Sequence, residues 1–170
     1  MARGSNGQSR NVRRPRVWQA LHSFFAGIGS PRKTLASRVP IVALIVGEQD
    51  RGVLASVSKQ EPFDVHFAES CEEAFTLANQ WNAAVIFFDR DWPGTDWRAA
   101  VESLAASSHH ACVILMSGVA DDYLWQELIR RGGYDVLPKP LRNDTVSRVI
   151  KLALSYLHSE RKLAGLTRNS

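Results

Sequence analysis

Cysteine is scarce in this sequence, which holds only Cys71 and Cys112 among its 170 residues. The two neither form a C-x-x-C pair nor have the spacing of metal ligands, which argues against a disulfide framework and a structural zinc site. Both stand in apolar or helical surroundings. We therefore expect two reduced thiols in a cytoplasmic protein.

Several cofactor-binding and catalytic motifs are missing as well. The chain has neither the G-x-G-x-x-G pattern of dinucleotide-binding folds nor a P-loop. No Ser-His or Cys-His pair falls at the ends of the strands predicted below. An unrelated enzyme or nucleotide binder of the same fold class stays open as an alternative, which a bound flavin or nucleotide in the purified protein would reveal.

Acidic residues are absent from the first 38 positions, which carry eight lysines and arginines. The remaining 13 basic and 17 acidic residues give positions 39–170 a net charge of −4. The sequence thus divides into a basic arm, residues 1–38, and an acidic globular domain that begins at residue 39.

Long hydrophobic runs are also missing. The apolar patch of the arm, Val17–Ile28, is too short to span a membrane, and no signal-peptide cleavage site follows it. The arm either lies on anionic lipid as a basic amphipathic helix, with weak contact to a membrane surface, or rests its patch on its own domain. Because Trp18 and the Phe24-Phe25 pair do not interleave with basic residues, we expect no nucleic-acid binding.

Beyond Val39 the sequence alternates between short apolar runs and segments with helical spacing. The runs predict strands covered on both faces, at Pro40–Gly47, Phe63–Ala68, Ala83–Asp89, Ala111–Ser117 and Tyr134–Leu137. The helical segments lie at Gln49–Gln60, Ser70–Trp81 (opened by a Ser70-x-x-Glu73 capping box), Asp96–Ala106, Asp121–Arg131 (ended by Gly132-Gly133) and from Asn143 or Asp144 to about His158. Parallel strands need helical crossovers. The pattern therefore predicts an α/β fold, a doubly wound five-stranded parallel sheet with helices on both faces.

Polar side chains stand at the ends of four of these strands. Glu48 follows the first strand, Asp89 ends the third, Ser117 ends the fourth and Lys139 follows the fifth. In open α/β sheets the site lies outside the carboxyl ends of the strands, so these four residues are expected to meet at one rim. The structural alternatives are a turn aspartate, a loop hydroxyl and a solvated surface lysine.

Three motifs carry a resemblance to a known family: V-I-F-F-D-R-D-W-P-G-T-D around Asp89, V-I-L-M-S-G ending at Gly118, and G-G-Y-D-V-L-P-K-P-L around Lys139. From about Val39 to Leu157 the chain resembles the receiver domains of two-component response regulators. The resemblance implies the flavodoxin-like strand order 2-1-3-4-5.

The resemblance also implies a phosphoryl-accepting site. Asp89 would take a phosphoryl group from a sensor histidine kinase or a phosphotransfer protein. Mg²⁺ would be held by Glu48, Asp89 and the backbone carbonyl of Asp91. Lys139, whose bond to the following proline is expected to be cis, would pair with a phosphate oxygen, and Ser117 would move to hydrogen-bond the phosphoryl group.

The sequence departs from the family pattern at three places. Gly47 stands where an acid is usual, Trp97 stands where glycine is typical, and Val136 stands where an aromatic residue usually belongs to the switch. Tyr134 has the same parity along the strand as Val136 and is expected to serve in part in its place, although the usual aromatic ring is absent. On the helix after the fourth strand, we expect Tyr123 or Trp125 to be exposed and to form part of a partner surface.

The predicted function is that of a single-domain response regulator, phosphorylated on Asp89 and signalling through a partner protein, rather than a turnover enzyme. The globular domain is expected to span residues 39–158 and to be followed by a short tail, residues 159–170, too short for an output domain. The alternative, motivated by Gly47 and Val136, is a pseudo-receiver that is never phosphorylated and acts as a protein-interaction module.

Overall fold

The computed structural model describes residues 38–107 and 111–167, with side chains through residue 164. The predicted basic arm lies outside the described residues apart from Arg38, and so do residues 168–170. Within the described part, strands and helices alternate strictly. The strands are β1 Val39–Leu44, β2 Phe63–Phe67, β3 Val85–Asp89, β4 Cys112–Ser117 and β5 Asp135–Pro138, and the helices are α1 Glu48–Gln60, α2 Cys71–Gln80, α3 Trp97–Ser107, α4 Asp122–Arg130 and α5 Asn143–Thr167.

All strands pair in parallel in the order β2-β1-β3-β4-β5, which confirms the predicted sheet. Ile41 in the central part of the sheet is aligned with Val65 on one side and Val85 on the other. At the carboxyl end, Asp89 is aligned with Met116, and Ser117 with Pro138. This register brings the ends of β3, β4 and β5 to the same edge of the sheet.

Two apolar layers enclose the sheet, because successive side chains of each buried strand point to opposite faces. One layer packs against α1 and α5, through residues such as Leu54 and Ile150. The other packs against α2, α3 and α4, through residues such as Val101 and Leu128. The strand runs are continuously apolar because both faces are covered in this way.

Helix starts lie within one residue of the predicted positions. Ser70 caps α2 by accepting a hydrogen bond from the backbone N–H of Glu73 at 3.0 Å. The Glu73 carboxylate, however, accepts from the N–H of Glu69 at 2.8 Å and not from that of Ser70, so the predicted capping box closes one residue earlier. At the end of α4, Gly132 adopts a positive φ of 83°, as expected of a glycine stop.

The last helix is longer than predicted. It continues through Thr167, past the expected end near His158, so the segment expected as a short tail is helical through Thr167. Residues 159–164 contain neither proline nor glycine and include the strong helix formers glutamate, arginine, lysine, leucine and alanine. Among the described residues, no helix is both long enough and apolar enough to cross a membrane.

An ion-pair cluster joins α3 to α4. The carboxylate of Glu127, almost buried, accepts from Arg98 on α3 and from Arg130 and Arg131, each at 3.2 Å. Arg131 also reaches Glu102 on α3 at 3.1 Å. The hydrogen bond from Arg131, followed by the one from Arg98, holds the pKa of Glu127 below its ordinary value against the opposing effect of desolvation.

Candidate functional site

Asp89 is the buried centre of the rim at the carboxyl ends of the strands. Its side chain is completely shielded from solvent, at 0% exposure. The backbone N–H of Val46, just after β1, donates to Oδ2 at 3.2 Å, and the N–H of Asp91 donates to Oδ1 at 3.1 Å. The hydrogen bond from Asp91 is the one expected if Asp89 only stabilised the following turn. A turn aspartate does not need to be fully buried or to contact Val46, so this role does not account for the whole environment of Asp89. A buried carboxylate requires such donors because desolvation penalises its charge.

Lys139 supplies the positive charge that Asp89 faces. Its Nζ lies 2.9 Å from Oδ1 and 3.0 Å from Oδ2 of Asp89, and 3.4 Å from Oδ2 of Asp91. The bond to Pro140 is cis, as expected. Desolvation alone lowers the pKa of Lys139, but the hydrogen bond and charge of Asp89, with those of Asp91, outweigh it and raise the pKa above its ordinary value. Lys139 is therefore firmly protonated and is no solvated surface lysine.

Ser117 ends β4 beside Asp89 and is buried, with 1% exposure. Its Oγ accepts a hydrogen bond from the N–H of Val119 at 3.2 Å, and its carbonyl accepts from the N–H of Lys139 at 2.9 Å. Among the described residues the hydroxyl only accepts hydrogen bonds, which leaves its hydrogen available to another acceptor. Apart from the two neighbours of Gly118 in the chain, no atom of the described residues lies within 4 Å of the position where a side chain at Gly118 would begin.

Two of the residues predicted to bind the metal ion, Asp89 and Asp91, both contact Lys139. Glu48 is the first residue of α1 and is exposed, two positions beyond Val46, which contacts Asp89. Among the described residues, no three or more His, Cys, Asp or Glu side chains cluster as a metal site. Mg²⁺ commonly uses only one or two carboxylates together with waters and carbonyl oxygens, so the chemistry of this donor set fits the ion.

Asp50 has a role that the sequence did not indicate. It is buried, and its Oδ1 accepts a hydrogen bond from the N–H of Leu141 at 2.8 Å. Asp50 therefore fastens the start of α1 to the segment that carries Lys139. No sequence pattern pairs two residues so far apart in the chain, so only the structure reveals this contact.

Arg90 is a second residue of the rim that the sequence analysis missed. Its Nη1 donates to Oγ of Ser117 at 3.4 Å, and its backbone N–H donates to the carbonyl of Met116 at 2.9 Å. A basic residue directly after the strand-end aspartate was the available sequence signal.

The departures from the family pattern have different outcomes. Tyr134 precedes β5 and packs in the layer of α1 and α5, with its ring 5.4 Å from that of Tyr156. Val136 packs in the opposite layer, so the expectation that Tyr134 serves in its place is wrong. Side chains alternate between the two faces only inside a strand, and Tyr134 lies just before β5 begins.

Trp97 is buried at the start of α3, with the guanidinium of Arg98 4.7 Å from its ring centre.

The two aromatic residues proposed for a partner surface on α4 differ in exposure. Tyr123 is 71% exposed, as expected for a residue of a binding surface. Trp125 is partly buried and packs against the layer that contains α2, α3 and α4. Of the two, Tyr123 fits the proposed surface better.

Comparison with known proteins agrees with this architecture. Over 125 residues the chain is 25% identical to the regulatory protein AtoC of Escherichia coli (strain K12), an alignment that covers 72% of this chain but only 27% of AtoC. The chain thus spans about a quarter of the length of this relative.

Solved structures share the fold at lower identity. The signal receiver domain of an HD domain-containing protein from Pseudomonas fluorescens Pf-5 superposes with a TM-score of 0.67 at 23% identity, covering 77% of this chain and 97% of that domain. The chemotaxis protein CheY4 of Vibrio cholerae superposes with a TM-score of 0.60 at 16% identity, covering 66% and 96% of the two chains. Residues 48–151, more than half of the sequence, match the response regulator receiver domain. The chain therefore belongs to the family of response regulator receiver domains.

Proposed function

We propose that this chain accepts a phosphoryl group on Asp89 from a sensor histidine kinase or a phosphotransfer protein and signals through a protein partner. One observation carries the proposal: the fully buried Asp89 carboxylate faces the ammonium of Lys139, with the hydroxyl of Ser117 at the next strand end. Receiver domains are signalling domains rather than turnover enzymes, and we propose the same for this chain.

The transfer needs no proton on Asp89. A carboxylate oxygen forms the new bond to phosphorus while the bond from phosphorus to the donor's imidazole nitrogen breaks, and the electron pair of that bond stays on the nitrogen. The phosphoryl group brings up to two negative charges. Lys139, already within 3.0 Å of both Asp89 oxygens, would pair with one phosphoryl oxygen, and the free hydroxyl hydrogen of Ser117 would be donated to another.

Glu48, Asp89 and the carbonyl of Asp91 would hold Mg²⁺ next to the reacting carboxylate. Two carboxylates about 4 Å apart repel by roughly 4 kcal/mol at an effective dielectric constant near 20. The bound ion would neutralise these carboxylates and the phosphoryl oxygens. The proposal places the chain in the cytoplasm, with which its two free cysteines are compatible.

The test is phosphorylation by acetyl phosphate and by phosphoramidate in the presence of Mg²⁺, read by intact mass. The wild type should gain one phosphoryl group that is stable in acid and removed by hydroxylamine, and Asp89→Asn should gain none. The matched control is Asp91→Asn, which removes a neighbouring exposed carboxylate and should still be phosphorylated. If the wild type gains no phosphoryl group from either donor at any Mg²⁺ concentration, the chain is a pseudo-receiver that acts as an interaction module.

A further inference from the structure

Arg90 directly follows the proposed phosphoacceptor Asp89 in the chain, and its side chain reaches Ser117. Its backbone N–H is bonded to the carbonyl of Met116, so the residue is fixed at the point where β3 and β4 end side by side. Its half-buried side chain reaches across this end, and Nη1 lies 3.4 Å from Oγ of Ser117. The guanidinium is therefore next to the hydroxyl that, in the proposed function, binds the phosphoryl group.

The guanidinium of Arg90 forms no ion pair within the described part of the chain. Within residues 38–107 and 111–164, no carboxylate lies within 4.0 Å of its guanidinium, whereas Lys139 is within that distance of both Asp89 and Asp91. The long hydrogen bond to Ser117 uses one of the five N–H donors of the guanidinium. The rim thus holds two cations. Lys139 is already paired with carboxylates, whereas the remaining N–H donors of Arg90 are available to an anion.

We propose that Arg90 is a phosphoryl-binding residue, which binds an oxygen of the phosphoryl group on Asp89 next to Ser117. The inference rests on the proposed function and adds a ligand to it. A guanidinium suits this task because its planar donors match phosphate oxygens. Gly47 stands where an acid usually helps to hold the metal ion. Arg90 adds a fixed positive charge to the same rim, which an incoming phosphoryl group could use.

The test compares initial rates of phosphorylation by acetyl phosphate in Arg90→Met, Arg90→Lys and the wild type at fixed Mg²⁺. Loss of a charge-assisted hydrogen bond to the phosphoryl group should slow Arg90→Met roughly 10- to 100-fold. Arg90→Lys retains the charge but not the planar donors, so its rate should lie between those of Arg90→Met and the wild type. The matched control is Arg142→Met, which removes an arginine whose side chain is 76% exposed and pairs with Asp144.

A second comparison separates phosphoryl binding from mere support of Ser117. Arg90→Met is introduced into Ser117→Ala, where no hydroxyl remains to be positioned. A direct contact predicts that Arg90→Met still slows phosphorylation by a similar factor. If Arg90→Met has no effect in the Ser117→Ala protein, Arg90 acts only through Ser117 and the inference is wrong.

The outcomes also separate this inference from the proposed function. A wild type that takes no phosphoryl group overturns both. A wild type that is phosphorylated, together with an Arg90→Met protein as fast as Arg142→Met, overturns the role of Arg90 and leaves Asp89 as the phosphoacceptor. Thermal unfolding of each variant confirms that the compared proteins are folded.

Discussion

The ammonium of Lys139 is almost equidistant from the two carboxylate oxygens of Asp89, at 2.9 and 3.0 Å. The two side chains differ in their access to water, since Asp89 is completely buried and 19% of the Lys139 side chain is exposed. Loss of the lysine would therefore leave a buried charge without its counterion, whereas loss of the carboxylate would leave a lysine that still reaches solvent and Asp91.

Lys139→Met should lower the free energy of unfolding by about 2–4 kcal/mol, and Asp89→Asn by less, because an unpaired buried charge is the larger penalty. The double variant should be more stable than the sum of the two single effects predicts. Urea denaturation of the four proteins without Mg²⁺ measures this cycle. Strict additivity would mean that the two groups do not interact in solution.

Gly47→Asp should tighten Mg²⁺ binding. A Cβ at Gly47 would lie 3.5 Å from Oδ2 of Asp50, an ordinary contact, and the backbone φ of −85° suits any residue. The new carboxylate would stand beside Asp50 and raise the negative charge of the rim. Mg²⁺ should then raise the melting temperature more than in the wild type, consistent with at least about fivefold tighter binding.

The control for this substitution is Gly47→Asn, which has the same shape without the charge. The melting temperature is followed over a Mg²⁺ titration in all three proteins. Equal Mg²⁺ responses of Gly47→Asp and Gly47→Asn would contradict the prediction.

Gly133→Ala should destabilise the fold. A Cβ at this position would lie 2.3 Å from Cδ1 of Leu128 and 3.2 Å from its carbonyl oxygen, and Leu128 is fully buried and unable to move aside freely. Overpacking of this kind costs about 1–3 kcal/mol. Gly118→Ala is the matched control, since its new methyl group would meet no atom within 4 Å in the described part of the chain beyond its two sequence neighbours. Its unfolding free energy should change by less than about 0.5 kcal/mol.

Glu127→Gln should weaken the link between α3 and α4 in a pH-dependent way. The pKa of Glu127 is held below its ordinary value of 4.5, so its carboxylate stabilises the fold at pH values above 4.5. This contribution is lost as the pH falls through the lowered pKa. Chemical denaturation should show the variant less stable than the wild type at pH 7, with the difference vanishing in acid.

The control for the pH experiment is Glu72→Gln, because Glu72 is an exposed glutamate on α2. A stability difference between Glu127→Gln and the wild type that stays constant from pH 7 to pH 3 would exclude the proposed role of the carboxylate.

Most of the fold was predictable because it depends on local patterns. Each apolar run from Pro40–Gly47 to Tyr134–Leu137 is a strand within a few residues of the predicted limits, since burial on both faces demands continuous apolar sequence. The meeting of Asp89, Ser117 and Lys139 followed from the parallel order of strands, because that order fixes which ends are adjacent. The strand order itself came from the resemblance.

The features that escaped prediction depend on distant contacts or on local geometry outside the regular elements. Tyr134 was assigned to the wrong face because alternation holds only inside a strand, and the chain turns at Gly132 just before it. The end of α5 was missed because no stop residue lies near His158. Arg90 and Asp50 act through partners that no sequence period connects to them.

The hydrogen bond from Leu141 to Asp50 joins residues 91 positions apart. Leu141 follows β5, and bringing such distant segments together costs chain entropy that only the finished contacts offset. A chain still being synthesised therefore carries Asp89 long before Lys139 is fixed beside it. In the proposed function, competence to accept a phosphoryl group would then arise only when the last strand is in place, and an unfinished copy of the protein would remain silent.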